Sequence, residues 1–100
     1  MKFKIKKELI GGRYFVTAQV TEYSEHDQEK ALIFGEPSLV IKYKDGRDMN
    51  RKISSLSIEP FGFYTQEEAD QYVEKLKSQI TELKIKWETL KDNWSNEEVI

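Results

Sequence analysis

The stretch TQEEADQYVEKLKSQITELKIKWETLKDNW, residues 65–94, decides how this chain folds. Ala69, Val73, Leu76, Ile80, Leu83, Trp87, Leu90 and Trp94 recur at alternating steps of four and three. That spacing gathers side chains on one face of an α-helix. Thr65 followed three residues later by Glu68 has the form of a capping box, so the pattern predicts a helix from Gln66 to Trp94.

At 1.5 Å per residue this helix would be about 43 Å long, whereas a strand of ten residues spans about 33 Å. The helix is therefore expected to overhang its sheet by about 10 Å, with Trp87 where it leaves the sheet and Leu90 and Trp94 beyond. Ile85 adds an apolar residue on the outer face of the same half. Written as heptads, Val73, Ile80, Trp87 and Trp94 fall at a, and Ala69, Leu76, Leu83 and Leu90 at d. Lys77, Lys84 and Lys91 all fall at e and Lys86 at g, so a self-paired coiled coil would bring like charges together. The first half of the helix is expected to lie on the chain's own sheet. Its distal end, with Ile85, Trp87, Leu90 and Trp94, is expected to meet a second copy or another protein.

Upstream, KFKIKKELIGGRYFVTAQV (residues 2–20) alternates at period two: Phe3, Ile5 and Leu9 on one side, Lys2, Lys4, Lys6 and Glu8 on the other. Gly11-Gly12 supplies two residues that accept positive φ, as a two-residue type I′ hairpin turn requires. Pairing Ile10 with Arg13 sets Leu9 against Tyr14, Ile5 against Ala18 and Phe3 against Val20, which matches apolar to apolar. Lys7, opposite Val16, is the one charge on the inner face, and its stem can carry the ammonium to an edge.

Between hairpin and helix, SEHDQE (24–29) reads as an acidic loop. KALIF (30–34), GEP (35–37) and SLVIKYK (38–44) then read as one long strand kinked by Gly and Pro, or as two strands divided there. KDGR suggests a second hairpin, but a two-residue turn at Asp45-Gly46 would set Leu39 against Lys52 and Ile41 against Asn50. A longer loop over residues 45–50 would instead bring Ile53 opposite Ile41. Leu56 and Ile58 then fall on the other face, which implies a bulge near Ser54-Ser55. The expected architecture is α+β in the order ββββα. An antiparallel four-stranded sheet, five-stranded if the Gly/Pro kink divides a strand, occupies residues 2–60, and the helix of residues 66–94 packs across one face. One domain spans 1–94, with 95–100 as a frayed tail.

Composition limits the chemistry. Of the 100 residues 34% are charged and 38% apolar, and the net charge of −2 is the residue of alternating segments: +4 over residues 1–20, −4 over 21–37, +2 over 38–60 and −4 over 61–100. Any anion-binding surface must then be local. The chain has no cysteine, which removes thiolate metal sites and cysteine nucleophiles. The glycines form no phosphate-cradling motif. His26 is the single histidine, in a loop with Glu25, Asp27 and Glu29, and one imidazole there is expected to be solvated rather than to hold a metal. No catalytic residue, cofactor or metal site is expected, and the chain is read as non-enzymatic. ALIF, the longest apolar run, is too short to cross a membrane, so a cytoplasmic protein with no membrane partner is expected. The leading functional expectation is a binding or assembly domain, homo-oligomeric (a dimer) or paired with a protein partner through the distal helix. The alternative is a single-stranded nucleic-acid binder that uses the sheet face of Lys2, Lys4 and Lys6 with the rings of Phe15 and Tyr23.

Overall fold

A computed structural model describes the backbone of residues 1–94 and the side chains of residues 1–90. The tail expected to fray and the side chain of Trp94 lie outside the described residues. The elements are β1 (Lys2–Ile10), β2 (Arg13–Glu22), α1 (Glu25–Phe34), β3 (Ser38–Lys42), β4 (Asp48–Lys52), a 3₁₀ turn (Ile53–Ser55) and α2 (Gln66–Trp94). The fold is α+β, with four antiparallel strands and a long C-terminal helix packed on them. The strands form two separate ladders, β1-β2 and β3-β4.

The first hairpin has the register that the alternation predicts: Leu9 pairs with Tyr14, Lys7 with Val16, Ile5 with Ala18 and Phe3 with Val20. Both turn glycines carry positive φ, 58° at Gly11 and 80° at Gly12, as a type I′ turn demands. Lys7 reaches out from its inward position to Asp70 of α2 at 3.1 Å. α2 has the predicted limits, and the Glu68 amide donates to Thr65 Oγ1 at 3.2 Å.

The middle of the chain differs from the sequence reading. Residues 25–34 are neither an acidic loop nor the start of a strand; they form α1. Ser24 Oγ accepts from the Asp27 amide at 3.1 Å and the Asp27 carboxylate accepts from the Ser24 amide at 3.1 Å, a reciprocal cap that starts a helix. Only Ser38–Lys42 of the expected long strand is extended. The second ladder pairs Leu39 with Arg51 and Ile41 with Met49, neither of the two registers weighed. Tyr43 and Arg47 close the loop through a 2.9 Å backbone bond, and Gly46, at φ 89°, absorbs the turn. The bulge expected near Ser54-Ser55 is the 3₁₀ turn, which lets Ile53 and Ile58 both reach the core.

That core is shared. Val16 and Ala18 come from the first hairpin, Leu39, Ile41 and Tyr43 from the second, and Ala69, Val73, Leu76, Ile80 and Leu83 from α2. Ile41 and Leu76 are fully buried at its centre. One further link joins the 56–65 segment to β2: the Tyr14 amide donates to the Phe63 carbonyl at 2.9 Å and the Phe63 amide returns to Tyr14 at 2.7 Å. Gly62 makes that approach. It has φ 72°, and a Cβ there would stand 3.0 Å from Tyr14 O and 3.1 Å from Phe15 Cε1.

Gly62→Ala is therefore expected to lower stability by about 1–3 kcal/mol, combining a strained φ with a backbone clash. Gly35→Ala, also at positive φ but with nothing within 4 Å of the added Cβ, should cost distinctly less. Urea midpoints at constant m-value would measure both; equal losses would show that the contact with Tyr14 is not close.

Candidate functional site

Beyond Leu83, α2 meets α1 at Trp87. Asp27 and Lys30, one turn apart on the inner side of α1, are 6% and 4% exposed. Trp87 lies beneath them at 4% exposure, so this indole is interior and not at an open edge. Its Nε1 donates to Asp27 Oδ1 at 2.8 Å, and Lys30 Nζ donates to the Trp87 carbonyl at 2.9 Å while standing 5.0 Å from the ring centre. The Met1 ammonium lies 3.2 Å from Asp27 Oδ2, and Ser24 Oγ donates to the same oxygen at 3.0 Å. Burial alone would raise the Asp27 pKa, but the indole, the two Ser24 donors and the ammonium together hold it down at about 2.

Because α1 spends its inner side on this polar contact, its apolar residues face out. Leu32 is 87% exposed and Ile33 48%. Beside them runs a groove of about 340 Å³ between the 34–40 segment and α2, lined by Pro37, Val40, Leu83, Trp87 and Leu90. Glu36, Glu82 and Lys86 stand at its polar margin. Leu90 is half-buried in this groove, whereas Ile85 is 62% exposed and lies about 200° around the helix from Leu83. The sequence reading missed Leu32, Ile33 and Val40. The signal was the pairing of a Ser24-x-x-Asp27 cap with an apolar run that begins seven residues after Ser24, which places that run at a helix end.

The lysine face is only partly free. Lys2 pairs with Glu22 at 3.2 Å and Lys6 pairs with Glu8 along its own strand, while Lys4 has no ion-pair partner among the described residues. Phe15 is half-buried and packs beside Gly62. Tyr23 departs from the expected face: a register shift between Lys2 and Phe3 skips Thr21, reverses the alternation and turns Tyr23 onto the core. Its buried hydroxyl has no hydrogen-bond partner among the described residues, and burial first, then the charges of Asp27 and Glu36, raise its pKa.

His26 is exposed in the first turn of α1, and Asp27 is turned away from it into the interior. No group of three or more metal-ligating side chains occurs among the described residues. No helix among them is long and apolar enough to cross a membrane.

Asp27 makes stability depend on acid. Its folded pKa lies below the ordinary 3.8, so its contribution is complete above about pH 4 and is lost as the pH falls through about 2. The shift corresponds to about 2 kcal/mol. The stability difference between wild type and Asp27→Asn, measured by urea unfolding, should be largest at neutral pH and close between about pH 4 and pH 2. Trp87→Phe, which leaves the carboxylate one donor short, should cost about 1–3 kcal/mol. A pH-independent difference would mean that Asp27 is not held in this network.

Comparison with protein-family models, with curated proteins and with solved structures finds no match.

Proposed function

We propose that this chain is a small non-enzymatic assembly domain that pairs with a second copy of itself through the distal part of α2 and the outer end of α1. The observation that carries this reading is the solvent exposure of Leu32 and Ile33 at the end of α1, where the next residue, Phe34, lines the groove against α2. Contiguous apolar patches on soluble chains mark contact surfaces. A projecting pair and a receiving groove on one molecule are self-complementary: about a two-fold axis, each copy inserts Leu32 and Ile33 into the groove of the other. The groove margin carries both signs on the same edge of α2, Glu82 and Lys86 one turn apart, so two copies can set acid against base. This arrangement also avoids the coiled-coil geometry in which the lysines at heptad positions e and g would collide. Leu90 belongs to the contact, Trp87 supports its floor, and Ile85 lies outside it.

Sedimentation of the wild type at tens of micromolar should report a dimer. Leu32→Asp combined with Ile33→Asp should weaken pairing at least about a hundredfold, because each copy would carry carboxylates into an apolar recess. Both side chains are exposed in the protomer, so circular dichroism and the urea midpoint should stay close to wild type. Leu90→Asp should weaken pairing in the same direction. A monomeric wild type would overturn the proposal.

A further inference from the structure

At the other end of α2, around the β3-β4 loop, lies a larger cleft of about 590 Å³. This is within the range of about 300–1,000 Å³ typical of small-molecule sites. Arg13, Lys44, Arg47 and Arg51 converge on it, with Asp45 and Glu59 as its acids. The local balance is +2 on a chain whose net charge is −2.

The cations are held without being used up. Arg13 Nη1 donates to the Phe61 carbonyl at 3.1 Å, with its guanidinium 4.8 Å from the Tyr64 ring centre. Lys44 Nζ donates to the Gly62 carbonyl and lies 4.3 Å from the Tyr64 ring centre and 5.0 Å from that of Phe63. Arg47 Nε is tied to Asp45 at 2.5 Å. Arg51 Nε donates to the Tyr43 hydroxyl at 3.2 Å, and that hydroxyl donates in turn to the Ser57 carbonyl at 2.5 Å. A guanidinium has five N–H donors. Arg13, Arg47 and Arg51 each keep several with no acceptor among the described residues, in orientations guided by the bonds they do make.

Two rings stand at the mouth: Phe61 is 71% exposed, and Tyr64, 65% exposed, has Arg13 and Lys44 against its ring. Oriented guanidinium forks are suited to phosphate oxygens. Exposed rings beside a cationic groove are suited to stacking planar bases. Glu59 is buried, with Oε2 accepting from the Lys44 amide at 3.1 Å, and its second oxygen remains an acceptor for an amino or hydroxyl group.

We propose that this cleft binds a nucleotide unit, its phosphate on the remaining N–H groups of Arg47, Arg51 and Arg13 and its base against Phe61. The unit comes either from a free nucleotide or from a single strand. The site is separate from the Lys2, Lys4 and Lys6 face and from the apolar groove at the distal end of α2.

The full chain is titrated at low salt with adenosine monophosphate, a labelled oligothymidylate, inorganic phosphate and a phosphotyrosine peptide. Binding of the oligonucleotide alone assigns the site to single strands, and binding of the mononucleotide with similar affinity assigns it to free nucleotides; either supports the proposal. Arg47→Ala combined with Phe61→Ala should weaken binding at least about tenfold and flatten its salt dependence. Both side chains are exposed, so the variant should remain folded by circular dichroism. Lys4→Glu with Lys6→Glu should leave most of the affinity. No binding by the wild type, equal binding of inorganic phosphate, tighter binding of the phosphopeptide, or loss of affinity only in the lysine variant would each overturn the proposal.

Discussion

Neither hairpin can hide its apolar face without α2. An isolated two-stranded ladder is marginal in water, and the two ladders here share no strand pairing. Leu76 and Ile41, both fully buried, lie in one core with Val16 and Ala18, so the helix is the surface on which two weak units become one domain. Burial of this kind is non-directional and scales with area. It fixes that the hairpins lie on the helix, but not how they are oriented. Directional contacts supply the rest: the paired amides of Tyr14 and Phe63 set the first hairpin against the 56–65 segment, and Lys7 reaches Asp70. Gln79 Nε2 donates to the Val40 carbonyl at 2.9 Å and so pins β3 along the helix.

α1 attaches by a different principle. Its inner side offers Asp27, Lys30 and Ala31 rather than an apolar stripe, and its hold on α2 is a set of charged and polar groups around one indole. Buried charges are tolerated when they are paired and fully hydrogen-bonded, and Asp27 meets that condition with four donors. A polar attachment leaves the helix's apolar residues free to face outward. That is why Leu32 and Ile33 are exposed on a chain with a low overall apolar content.

The parts of the fold legible in the sequence are those in which periodicity and burial agree. The Phe3 and Ile5 alternation with Gly11-Gly12 leads to the observed register, although Leu9 on the same side stays 63% exposed, and the four-three spacing from Ala69 leads to α2 with its limits. α1 was misread because its apolar residues are packed at one end instead of recurring at helical spacing, so only its Ser24–Asp27 cap pointed to a helix. The second ladder was misread because Leu39 and Ile41 pair with Arg51 and Met49, whereas the sequence argument sought an aliphatic partner for each. Of the residues expected at the distal contact, Leu90 lines the groove. The interior position of Trp87 was not legible, because it depends on a carboxylate 60 residues away. The cationic cleft was also hidden: Lys44, Arg47 and Arg51 share one hairpin, but only the tertiary fold brings Arg13, Phe61 and Tyr64 to them.

The Asp27–Trp87 bond also bears on the order in which the chain assembles. Both hairpins and both helices close through neighbours in sequence, and such local steps proceed on microsecond scales. The link from α1 to α2 instead joins ends of a 60-residue loop that contains the second hairpin and most of α2. Closing so long a loop carries an entropic penalty that its polar contacts recover only once the intervening core is in place. Docking of α1 therefore depends on the intervening core, as does the packing of β1 on α2, which Lys7 and Asp70 join across 63 residues. Trp87 passes from an aqueous to an enclosed setting when α1 docks, so its fluorescence reports that step.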